Sequence, residues 1–126
     1  MKRSRILVVD NHQNVREVMS NLLDLLDIDA IPCSGGEEVM KRLAADRYDA
    51  VISDVVMPEM GGLDLAARIQ SERPGVPVIL MSSYASKDLE KEVKNNGAVG
   101  LIAKPFKLDA VTRLLEAAGV DFSRPA

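Results

Sequence analysis

The chain has 126 residues, with 16 Lys and Arg against 19 Asp and Glu, and a single cysteine. That length suits one domain, and a net charge of −3 argues against direct nucleic-acid binding through bulk electrostatics. Cys33 alone excludes an internal disulfide or a cysteine metal cluster and fits a reducing, cytoplasmic setting.

In chain order, short apolar runs alternate with helical patterns. None of the apolar runs reaches the roughly 18 residues that a membrane span needs, so no membrane insertion is expected. Nor is a signal peptide expected: Met1-Lys2-Arg3-Ser4-Arg5 is basic, but the apolar stretch after it is short and ends at an aspartate. That stretch, Ile6-Leu7-Val8-Val9, reads as a strand covered on both faces. Val15, Val18, Met19, Leu22, Leu23 and Leu26 follow at three- and four-residue spacing, one face of a helix. Ala30-Ile31-Pro32-Cys33 is a weaker strand, and Pro32, which cannot donate to a ladder, assigns it to a sheet edge. Val39, Met40, Leu43 and Ala44 mark a second helix, and Ala50-Val51-Ile52 a third strand. Leu63, Ala66, Ala67 and Ile69 mark a third helix, which Pro74-Gly75 stops. Val76 through Met81 is the fourth strand.

The fourth helix is framed by Ser86 as N-cap and Gly97 as C-cap. Its apolar stripe is thin, only Leu89 and Val93, and the mixed charges from Lys87 to Lys94 read as a solvated face. It is expected to be the least tightly held element. Val99 through Ala103 is the fifth strand. Leu108, Val111, Leu114, Leu115 and Ala118 form the last helix, with Gly119 just after it. The expected domain covers residues 4–120. Residues 121–126 read as a polar tail, a linker or a chain end.

Five βα units imply an α/β fold: a flavodoxin-like (βα)5 with a doubly wound five-stranded parallel sheet and helices on both faces. With the second strand at an edge, the expected order is 2-1-3-4-5. In such sheets ligands bind beyond the carboxyl ends of the strands. The residues placed there are Asp10-Asn11, Asp54, Ser82-Ser83 and Lys104-Pro105-Phe106. Each alone is ordinary loop chemistry. Together, two acids, an ammonium and hydroxyls make a set that capping does not explain. Carboxylates held close repel unless a cation offsets them, and hard oxygens suit Mg²⁺ together with phosphate oxygens.

Ile6-Leu7-Val8-Val9-Asp10, Asp54-Val55-Val56-Met57-Pro58, Gly62, Ser82-Ser83-Tyr84 and Lys104-Pro105-Phe106 resemble the signature of response-regulator receiver domains, in order and spacing, over residues 4–118. The resemblance implies a phosphoacceptor signalling domain rather than an enzyme. Asp54 would be the nucleophile that takes a phosphoryl group from a sensor histidine kinase or phosphotransfer protein. Asp10, Asn11, Asp54 and the Val56 backbone carbonyl would hold Mg²⁺. Lys104 would pair with a phosphoryl oxygen, and the Ser82 hydroxyl would move towards it. Ser83, Tyr84, Leu101 and Pro105 would serve or support the switch, with a cis Lys104-Pro105 bond. A downstream effector and a homodimer are the further partners implied.

Two departures bear on the chemistry. Asn11 replaces the second of two adjacent acids, which implies weaker Mg²⁺ binding. Leu101 stands where a Tyr or Phe is usual, which implies a muted switch. These departures keep open a second reading, a degenerate receiver-like module that binds partners without phosphorylation. Val56 and Tyr84 occupy the positions that tune phosphoryl lifetime and imply slow hydrolysis. An aspartate-nucleophile phosphatase is disfavoured, because Val56 stands where a second aspartate would be. A Rossmann cofactor site is disfavoured by Asn11-His12-Gln13-Asn14, which lacks glycine. His12 sits beside the site and could support it indirectly, but reads rather as a solvated loop residue; Cys33 reads as a small buried hydrophobe, and Met57 and Met60 as packing for the loop after Asp54.

Overall fold

The structure, a computed structural model, describes residues 3–125. Five strands alternate with five helices: β1 Ser4–Val9, α1 Gln13–Leu25, β2 Ile28–Cys33, α2 Gly36–Ala45, β3 Ala50–Asp54, α3 Gly62–Glu72, β4 Val78–Ser82, α4 Lys87–Asn95, β5 Gly100–Ala103 and α5 Leu108–Ala117. All pairings are parallel, and the order is β2-β1-β3-β4-β5. The α/β, flavodoxin-like expectation therefore holds, and Pro32 does lie on an edge strand, opposite Val8.

The strands are apolar on both sides because both sides are covered. Leu7, Val9, Val51, Val78 and Leu80 face a core shared with α2, α3 and α4. Ile6, Val8, Ala50, Ile52, Ile79, Met81 and Ile102 face a second core shared with α1 and α5. Successive residues of one strand thus enter different cores, which is the period-2 alternation of a strand.

Several boundaries and stripes differ from the sequence reading. β4 begins at Val78 rather than Val76: Pro77 has no N–H for the ladder, although its carbonyl accepts from Val51 N at 3.0 Å. Val18 is exposed, because at 100° per residue it falls at the rim of the α1 stripe, while Met19, Leu23 and Leu26 are fully buried. Leu65 carries the buried face of α3 in place of Ala67, which is exposed. Ala44 is likewise exposed at the end of α2.

The remaining local signals agree. Ser86 Oγ accepts from Leu89 N at 3.1 Å, capping α4, and Val93 is the only fully buried residue of that helix. Gly97 and Gly119 take positive φ just after α4 and α5. Residues 121–125 have no regular secondary structure, yet they lie against the domain. Phe122 packs on the α1–α5 core, Ser123 N donates to Leu26 O at 2.9 Å, and Arg124 pairs with Glu116 at 2.7 Å.

Candidate functional site

Parallel pairing lines up the strand ends. Asp54 and Ser82 are the last residues of β3 and β4, and Asp10 and Lys104 directly follow β1 and β5. Asp10 is fully buried, Asp54 is 6% exposed and Ser82 is 3% exposed. The Lys104 ammonium lies between the two acids, 3.0 Å from Asp10 Oδ2 and 3.1 Å from Asp54 Oδ1. The lysine is held there by its backbone, since Lys104 N donates to Ser82 O at 2.9 Å, and the Lys104-Pro105 bond that follows is cis.

One ammonium cannot balance two carboxylates. The residual negative charge is buried, and buried charge is costly. Burial pushes the Asp54 carboxyl above its ordinary range; Lys104 pulls it back only partly, and Asp10 pushes in the same direction as burial. Burial opposes the charge of Lys104 as well, but its bonds to Asp10 and Asp54 outweigh that and raise its pKa. The site therefore keeps its lysine charged and leaves Asp54 short of positive charge.

A cavity of about 250 Å³ opens beside Asp54, lined by His12, Val56, Ser82, Ser83, Tyr84 and Lys104. Ser82 Oγ accepts from Tyr84 N at 2.9 Å, which leaves the hydroxyl proton available for donation into the cavity. Val56 and Tyr84 form its exposed rim, at 68% and 82% exposure. The loop after Asp54 is packed down on the domain: Met57 is buried, with its sulfur 3.7 Å from Ser53 Oγ, and Met60 fills the space left by Gly36 at the start of α2. Gly62 is required sterically: a Cβ there would collide with the Asp54 backbone carbonyl.

The predicted residues are thus partly gathered. Asp10, Asp54, Ser82 and Lys104 converge. Asn11 is exposed on the turn beside the cavity. Leu101 is half-buried, pairs with Leu80 and packs on the α2–α3–α4 core. Pro105 is exposed. Cys33 is buried, and burial pushes its thiol up to about 12.

The sequence pattern leaves His12 as a solvated loop residue beside the site and does not single out Arg16. His12 Nδ1 lies 3.0 Å from Asp10 Oδ1, and its backbone N–H donates to the same oxygen at 2.9 Å. The Arg16 guanidinium donates to the Asp10 backbone carbonyl. The available signal was Asp10 itself: an aspartate at a loop start takes a hydrogen bond from the N–H two residues on, which draws that residue in.

Among the described residues, no group of three or more His, Cys, Asp or Glu side chains stands together where it could hold a metal. A cation here would draw on fewer acids, Asp10 and Asp54, with neutral carbonyl oxygens to complete the set. Mg²⁺ is compatible with one or two carboxylates plus waters and phosphate oxygens, and the uncompensated charge of the pair favours a cation. No helix among the described residues is long and apolar enough to cross a membrane.

A family model for the response regulator receiver domain matches residues 6–116. The transcriptional regulator NtrC of Escherichia coli K12 is 32% identical over 118 residues, covering 94% of this chain and 25% of NtrC. PilR of Pseudomonas aeruginosa is 29% identical over 118 residues, covering 94% of this chain and 26% of PilR. The chain thus spans about a quarter of the length of these relatives. Among solved structures, the chemotaxis protein CheY4 of Vibrio cholerae superposes with a TM-score of 0.82 at 27% identity, covering 93% of this chain and 99% of that one. A response regulator receiver protein from Pseudomonas putida gives 0.82 at 29% identity, covering 92% and 98%.

Proposed function

This chain belongs to the response regulator receiver domain family, and from that premise we propose that it accepts a phosphoryl group on Asp54 and changes its protein contacts in response. Receiver domains are signalling domains rather than classical enzymes. One arrangement carries the reading: a buried, charge-starved Asp54 that opens on a cavity with Lys104 on one side and Ser82 on the other.

In the proposed step an Asp54 carboxylate oxygen attacks the phosphorus of a phosphohistidine on a partner kinase or phosphotransfer protein. The P–O bond forms, the P–N bond breaks, and its electron pair returns to the histidine nitrogen, which takes a proton. Lys104 neutralises a phosphoryl oxygen as charge gathers, and the Ser82 hydroxyl donates to another. Asp10, Asp54, the Val56 carbonyl and the Asn11 amide oxygen would hold Mg²⁺. When bound, the ion supplies positive charge to the phosphoryl oxygens. Val56 and Tyr84 line the approach without an acid or amide to orient an attacking water, so the acyl phosphate hydrolyses slowly. The reading places the protein in the cytoplasm. Its downstream partner is an effector domain or protein, reached through α4, β5 and α5, and that surface would also serve a homodimer.

Asn11 and Leu101 favour a second reading, a module that binds partners without phosphorylation: one is neutral and exposed, the other half-buried in the core. Beryllofluoride with Mg²⁺, read by amide NMR, separates the two. Phosphoacceptor function predicts shifts at Asp54, Ser82 and Lys104, and mass spectrometry with acetyl phosphate predicts one added phosphoryl group that Asp54→Asn abolishes. Unchanged spectra and no added mass would overturn the phosphoacceptor reading.

A further inference from the structure

Asp10 is the only acid at the end of β1, since its neighbour is Asn11. The direction in which its carboxylate points therefore decides how much negative charge reaches the cavity from that strand. Two residues set that direction. Asp10 Oδ1 receives two hydrogen bonds from His12, one from the backbone N–H at 2.9 Å and one from Nδ1 at 3.0 Å. Asp10 Oδ2 receives Lys104 at 3.0 Å. With Oδ1 taken by His12, Oδ2 is the oxygen that meets Lys104, whose ammonium also reaches Asp54. The His12 side chain is 62% exposed, yet the Asp10 side chain beneath it has no exposure at all. The ring lines the cavity beside Asp54, Ser82 and Tyr84.

We propose that His12 is a positioning residue for the cation site: its imidazole pins Asp10 Oδ1 so that Oδ2 is presented to the cation. An ionised carboxylate accepts only, so Nδ1 is the donor in this pair. Partners of this kind, which orient a ligating carboxylate, typically carry about 10–100-fold in metal affinity. Their weight is greater where one acid does the work of two. This inference rests on the cation reading of the preceding subsection.

The test is Mg²⁺ affinity of the full chain, measured by amide NMR titration at fixed pH without any phosphodonor. Three variants separate donor, ring and bulk. His12→Asn keeps a donor at the atom equivalent to Nδ1. His12→Phe keeps the ring without the donor, and His12→Ala removes both. His12→Phe and His12→Ala are expected to weaken binding about tenfold, with His12→Asn within threefold of the parent chain. A thermal melt of each variant checks that the fold is intact. The parent chain binding Mg²⁺ while His12→Ala binds equally well or more tightly would overturn the positioning role and leave the cation reading standing. So would a His12→Asn variant as weak as His12→Ala. A parent chain that shows no Mg²⁺-dependent shift at all would overturn both.

Discussion

At the scale of single residues, the site is governed by a charge mismatch that Lys104 does not close. Asp54 is held above its ordinary carboxylate range by burial, so the folded state binds a proton at Asp54 more readily than the unfolded chain does. The contribution of that group to stability is fully present below the unfolded carboxylate pKa and is lost as pH rises through the folded one. Ionised Asp54 thus costs stability at neutral pH. Asp54→Asn, which keeps the shape and removes the charge, should make the chain more stable than the parent at pH 7. The gap should close as pH falls below the carboxylate range. Urea melts of both proteins across pH measure it; an Asp54→Asn variant less stable than the parent at pH 7 would contradict this account. The acids and the lysine were legible as residues because strand ends are where such chemistry collects. Their mutual distances were not, nor was the hold of His12 on Asp10, because a two-residue turn leaves no hydrophobic pattern to read.

Among the elements, α4 stands apart. It buries only Val93 fully, with Leu89 half-buried, whereas α1, α2, α3 and α5 each bury two residues or more. Local opening is cheapest where few apolar contacts must break. Amides of α4 should therefore exchange fastest among the five helices. Ser86→Ala removes the bond to Leu89 N and should raise exchange through α4 while costing about 1 kcal/mol. Native-state hydrogen exchange checks both; an α4 protected as well as α3 would refute the ranking. The thin stripe was plain in the sequence because helix periodicity survives in a single residue list. The exact strands were less so. Val76 reads as part of a run, but Pro77 cannot enter the ladder as a donor, and only pairing with β3 fixes the start at Val78.

For the whole molecule, the sheet divides the interior into two cores, and residues 121–125 fasten one of them from outside. Phe122 covers the α1–α5 core, Ser4 Oγ donates to Asp121 O at 2.7 Å, and Ser123 N holds Leu26 O at 2.9 Å. Removing residues 121–126 should cost about 1–2 kcal/mol and lower Tm by about 4–8 °C. Calorimetry measures this, and an unchanged Tm would show that the tail contributes nothing. By itself the sequence determined the α/β class, the strand order and which chemistry gathers at one edge. Periodicity, one edge proline and polar strand ends are local features that survive without coordinates. Only the tertiary structure decided that Lys104 bridges Asp10 and Asp54, that Asn11 is exposed, that Leu65 rather than Ala67 enters the core and that the tail is docked. Those depend on distances between segments far apart in the chain, which packing sets and composition does not.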